Sequence, residues 1–129
     1  MKRFLKFWLP AYLYAGLIFY LSSIQKLPEV PIANIDRAVH ILEYGIFGVL
    51  LARAFKNSDN RWAARNFKAL AIAIGILYGA SDEYHQSFVI GRNADIIDLI
   101  FDSAGVLIGA IMFKRITYAK DNTVPGRPV

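Results

Sequence analysis

Four apolar stretches, at residues 7–24, 37–55, 67–85 and 95–113, leave this chain little to become except a helical membrane protein. A spanning helix needs roughly 20 mostly apolar residues, because the hydrocarbon core is about 30 Å thick and each helical residue rises about 1.5 Å. With 129 residues, 56% hydrophobic and only 19% charged, the chain is too apolar for a soluble domain of this size. The expected fold is all-α, a four-helix transmembrane bundle over residues 1–116 followed by a structureless tail at 117–129 that holds Pro125, Gly126 and Pro128. The second stretch is the weakest span because it carries His40 and Glu43, yet residues 46–51 are apolar apart from glycine. A signal peptide would also begin with a basic leader such as Lys2, Arg3 and Lys6, but no small-x-small cleavage pattern follows the first apolar run.

The basic residues give the orientation. Of fifteen Lys and Arg, twelve lie before the first stretch, around the second loop (Arg53, Lys56, Arg61, Arg65, Lys68) or after the fourth stretch. Only Lys26, Arg37 and Arg92 belong to the first and third loops, so the positive-inside rule puts both termini in the cytoplasm. A formal charge of +5 therefore reads as topology and contact with anionic lipid, and not as a nucleic-acid surface. Without cysteine there is no disulfide, thiolate metal site or cysteine nucleophile. No Gly-x-Ser-x-Gly elbow, phosphate-cradling glycine loop or dinucleotide fingerprint occurs either.

With that topology, eight of the ten acidic residues and both histidines fall in the outer half. An ionised side chain at bilayer depth costs about 2.5–3.5 kcal/mol even on lenient scales, so such groups turn inward, pair, or line a cavity. Asp95, Asp98, Asp102, Gly105 and Gly109 recur at intervals of three or four, one stripe of a helix. Gly75, Gly79, Asp82 and Gln86 form a similar stripe on the third stretch, and Arg37, His40, Tyr44 and Gly48 one on the second. The pairs Gly75/Gly79 and Gly105/Gly109 predict close approach of the third and fourth helices. The stripes together predict an outward-opening polar pocket.

The segment Ser81-Asp82-Glu83-Tyr84-His85-Gln86-Ser87-Phe88, continuing through Gly91-Arg92 to Asp98 and Asp102, resembles the signature of the VanZ-like family of bacterial membrane proteins. Asp36-Arg37-x-x-His40-x-x-x-Tyr44 is similar to that family's other motif, as are Ser22 and Ser23, and the resemblance covers residues 4–113. Ile90 stands where the family often has proline, and Arg37 where lysine is common. The resemblance implies a multi-pass protein of the bacterial plasma membrane, in a cell-envelope setting linked to resistance against the glycopeptide teicoplanin. It implies a fold more firmly than a reaction.

The residues admit sharper readings. His40, Asp82, Glu83, His85 and Asp98 are the candidates for acid–base catalysis, and three aspartates on one face suit a proton donor or relay. Arg92, Arg37, Tyr44, Gln86 and Asp102 are candidates for substrate binding; the Arg92 fork would clamp a carboxylate or phosphate, unless it pairs internally with Asp95 or Glu83. If a metal binds, His40, Glu43, Asp82 and His85 would hold it. The sequence names no cofactor. The first functional expectation is binding or modification of an amphiphilic, lipid-linked or cell-wall molecule. An acid–base membrane enzyme comes second, and a small transporter third. Transport would need a homo-oligomer and polar residues at all depths, whereas residues 72–75 and 106–113 are apolar.

Overall fold

The computed structural model describes residues 1–24 and 35–122, with side chains through residue 113. Lys26 and Glu29 of the first loop, and Pro125, Gly126 and Pro128 of the tail, lie outside the described residues. All regular structure among the described residues is helical: α1 (Lys2–Phe7), α2 (Leu9–Ser23), α3 (Ile35–Lys56), α4 (Arg61–Arg65), α5 (Phe67–Gln86) and α6 (Ile96–Asn122). Two of them, Ile35–Lys56 and Ile96–Phe113 within α6, are long and apolar enough to cross a membrane by themselves. The helical backbone of α6 runs on to Asn122.

Local chemistry sets the boundaries. Pro10, in the first turn of α2, has no N–H to donate to Lys6, and the chain breaks at Trp8 into α1 and α2. The Asn60 side chain accepts from the amides of Trp62 and Ala63 and so caps α4, a short helix inside the basic loop that apolar periodicity does not reveal. After α5 the chain turns through Gly91, whose φ of 81° suits glycine. Asp95 then accepts from the Ile97 amide and starts α6.

α3 and α6 make the most intimate pair. A Cβ on Gly48 would lie 2.5 Å from the Val106 carbonyl oxygen, and one on Gly105 would lie 2.5 Å from that of Ile41; one on Gly109 would collide with the Gly45 carbonyl. Gly48, Gly105 and Gly109 thus bring two backbones together where side chains would hold them apart, whereas a Cβ on Gly45 would meet the Gly105 carbonyl oxygen at an ordinary 3.6 Å. This corrects the expected pairing of Gly75/Gly79 with Gly105/Gly109. Gly75 instead admits the Val106 side chain, and a Cβ on Gly79 would find ordinary contacts of 3.4–3.5 Å. α5 packs on both α3 and α6, and α2 packs on α3 and α5 but not on α6.

The core holds Ile18, Tyr44, Phe47, Leu51, Phe67 and Val106. Phe47 leans on Tyr78 with ring centroids 5.1 Å apart, and Trp8 meets Phe55 edge-on at 5.0 Å. Outside, large apolar side chains stand exposed on every long helix: Leu13 and Leu17 on α2, Leu42 and Ile46 on α3, Ile74 and Leu77 on α5, Ile100 and Leu107 on α6. An apolar coat this extensive does not face water in a soluble monomer.

Candidate functional site

The C-terminal ends of α2 and α5 meet the N-terminal ends of α3 and α6, so one end of the bundle gathers the ionisable groups. Asp82 lies buried there among three donors: Ser22 of α2 at 2.6 Å, Tyr44 of α3 at 3.2 Å and Gln86 of α5 at 3.2 Å. The Asp82–Gln86 contact follows from their separation of four residues on one helix. Tyr44 lies nine residues, roughly 14 Å, along α3 from Ile35, so this network reaches well into the bundle.

Beside it, His40 Nδ1 shares a 2.8 Å hydrogen bond with Asp102 Oδ1, while its Nε2 stands 3.9 Å from Asp98 Oδ2. Three positions on two helices thus form a row from the part-exposed Asp98, through His40, to the fully buried Asp102. Glu83, also buried, accepts from the Asp95 amide through Oε2. The carboxylates of Asp98 and Asp102 lie within electrostatic reach of Glu83. One oxygen each of Glu83 and Asp102 (Oε1 and Oδ2) is buried without a partner.

Other candidates are engaged elsewhere. His85 Nε2 is 2.9 Å from the Ser23 hydroxyl, and its ring stacks on Phe19 at 4.3 Å. Arg92 neither pairs with Asp95 or Glu83 nor stands clear: it donates to the carbonyls of Ile24 (3.0 Å) and Leu21 (3.3 Å) at the end of α2. A cation suits those carbonyls, the last of the helix having no intrahelical donor. Arg37 lies over the Phe101 ring, 5.5 Å from its centroid. The four side chains named for a metal, His40, Glu43, Asp82 and His85, do not converge; among the described residues no three His, Asp or Glu gather to hold an ion.

Sequence reasoning gave no contact to three hydroxyls that tie α2 in place, although the family resemblance takes in Ser22. Ser22 closes Asp82, Tyr14 donates to the Glu43 carbonyl at 3.1 Å, and Tyr78 donates to that of Ala15 at 2.5 Å. In sequence Tyr12, Tyr14 and Tyr20 read alike as interface or lipid-facing aromatics, because nothing in one helix's periodicity reveals a backbone acceptor on another. Tyr12 and Tyr20 are exposed. A cleft lined by Arg3, Trp8 and residues 57–60 lies at the opposite end, away from the carboxylates.

A family model described as VanZ/LLP1 matches residues 4–117. The chain belongs to the VanZ/LLP1 family. No curated protein and no solved structure matches it. The VanZ/LLP1 match takes in every residue of the network above, and with the two long apolar helices it makes the chain a membrane protein.

Proposed function

We propose that this VanZ/LLP1 chain crosses the bacterial plasma membrane four times, through α2, α3, α5 and α6. Both termini are then cytoplasmic, and the polar end opens outward to bind or modify an amphiphilic, lipid-linked or cell-wall molecule. The setting linked to glycopeptide resistance comes from the family. The observation that carries the reading is the buried polar network at one end of an otherwise apolar bundle. Asp82 takes donors from three helices and His40 joins Asp102 across a fourth, in a chain whose exterior is apolar. Burying this many ionisable groups at bilayer depth is costly, and such groups are retained where they line a functional cavity. Lipid chains can lie along the exposed apolar flanks while a headgroup meets Asp98.

Purification in mild detergent followed by native mass spectrometry tests this reading. The wild-type chain should retain a lipid-like molecule, and Asp98→Asn should retain less at an unchanged unfolding temperature. Equal occupancy in both would sink the assignment of the polar end as the binding site. A second reading, acid–base chemistry on the bound molecule, is favoured by Asp102 holding His40 through Nδ1 while Nε2 faces Asp98, the arrangement of an imidazole oriented for proton transfer. Turnover lost in His40→Ala and kept in His85→Ala would support it.

A further inference from the structure

The last four carbonyls of a helix have no partner further along it and ordinarily turn to water. Those of α5 are all taken by the chain's own next turn. Glu83 O accepts from the Ser87 amide at 3.2 Å, Tyr84 O from the Ser87 hydroxyl at 2.6 Å, and the carbonyls of His85 and Gln86 from the amides of Phe88 and Val89, each at 3.0 Å. One turn earlier the exposed Ser81 likewise donates its hydroxyl to the Tyr78 carbonyl at 2.7 Å. Arg92 continues the turn by donating its amide to the Val89 carbonyl at 3.1 Å. This end of α5 can therefore leave water without stranding a main-chain acceptor, the condition for any backbone in contact with lipid.

The side chains on the same stretch are apolar and turned outward. Tyr84, Phe88 and Ile90 are 70%, 70% and 79% exposed, and the rings of Tyr84 and Phe88 meet edge-on with centroids 5.2 Å apart. Leu77, Tyr84 and Phe88 are spaced as one face of a helix, so the apolar coat of α5 continues through them. It continues past the level of Asp82: Phe88 lies roughly 9 Å further along the axis at 1.5 Å per residue. Ile96, which opens α6, is 74% exposed at the same end. Contiguous apolar surface of this kind marks a contact, and tyrosine with its apolar ring and polar tip is a side chain that settles where acyl chains meet headgroups.

We propose that the turn after α5 is seated in the lipid leaflet, with Tyr84, Phe88 and Ile90 inserted among the upper acyl chains, so that the network of Asp82, His40 and Asp102 lies below the headgroups. The leaflet itself is the occupant of the patch, because the patch continues a helix face already turned to lipid and its main chain needs no water. The inference rests on the reading that α5 crosses the membrane, and it adds the depth of the polar site. A site at that depth is entered from within the leaflet, the route open to an amphiphile.

Depth is read by fluorescence of the full chain, with Trp8→Phe and Trp62→Phe removing the native indoles. Into that background Phe88→Trp, Tyr84→Trp, Leu77→Trp and Asn93→Trp are introduced one at a time, in vesicles of phosphatidylcholine brominated near the glycerol end of its acyl chains. Phe88→Trp and Tyr84→Trp should lose at least as much emission to the bromolipid as Leu77→Trp does, and should resist iodide, supplied on both sides, that quenches Asn93→Trp. Both side chains are largely exposed, so either variant carries the test if the other fails to fold. Quenching by iodide and not by bromolipid at either position would overturn the proposal. Protection from both quenchers would overturn it too, since a second copy or another part of the chain would then cover the patch. Leu77→Trp insensitive to bromolipid would remove the crossing of α5 as well, whereas Leu77→Trp quenched beside an unquenched Phe88→Trp removes this inference alone.

Discussion

Asp82 shows how one buried carboxylate can organise a helix junction. Its donors come from α2, α3 and α5, so removing the carboxylate strands three polar groups, whereas removing one donor leaves the acceptor with two. Truncating the shared partner of a buried set costs more than deleting one contributor. Asp82→Ala should therefore lower stability in detergent by about 3 kcal/mol, and Ser22→Ala by about 1 kcal/mol, as read by chemical unfolding. A larger loss in Ser22→Ala would mean that Asp82 is not the hub. Arg92 makes a second case, since its guanidinium holds two carbonyls at the end of α2. Arg92→Ala should loosen that helix end by about 1 kcal/mol, detectable as faster amide exchange over residues 19–24, and lysine should recover only part because it lacks the planar fork. The face of α5 that bears Asp82 and Gln86 was legible in the sequence from spacing alone. The use of Arg92 was not: its partners are main-chain carbonyls on another helix, and a backbone acceptor has no signature in the sequence.

Among elements, the decisive contact is between α3 and α6. The glycines of this contact differ from those of α5 in what they permit: a Cβ on Gly105 would come within 2.5 Å of the Ile41 carbonyl oxygen, a main-chain atom that cannot swing aside, while a Cβ on Gly79 of α5 meets side chains at 3.4–3.5 Å. Gly105→Ala should thus cost about 1–3 kcal/mol, the range for overpacking a tight contact, and Gly79→Ala should be close to neutral. Thermal unfolding of the two variants in the same detergent compares them directly, and similar losses would refute the α3–α6 assignment. The small residues themselves were visible in the sequence, and so were the bounds of α2, α3 and α5 to within about two residues, whereas α6 runs to Asn122, nine residues beyond the end of its apolar stretch at 113. Which helices they join was not, because Gly75/Gly79 and Gly45/Gly48 are both plausible partners for Gly105/Gly109 until tertiary packing chooses. The choice follows volume: Val106 fills the space before Gly75, so α5 stands off by a side chain while α3 closes to backbone contact.

At the scale of the whole molecule, the question is how many helices cross the bilayer. α3 and the Ile96–Phe113 part of α6 can do so by their own length and apolarity. α2 has 15 residues, about 22 Å of helix, and α5 carries Lys68, Asp82 and Glu83 near its ends, so neither passes alone. Packing argues for them: α2 and α5 lie against α3, and both present large apolar side chains outward, Leu13 and Leu17 on one, Ile74 and Leu77 on the other. If they stayed in water, those side chains would be exposed to it. The two alternatives differ in one observable. With four crossings, α5 separates the loop at Asn60 from the loop at Asn93, and the basic residues put Asn93 outside. With α3 and α6 alone crossing, both loops share one face. Asn60 caps only the five-residue α4, so cysteine there should leave the helix packing intact. Single cysteines at Asn60 and Asn93 in intact cells should therefore divide, with Asn93 reacting with an impermeant maleimide and Asn60 reacting only after the membrane is opened; labelling of both from the same side would reduce the protein to two crossings and take the outward-facing site with it.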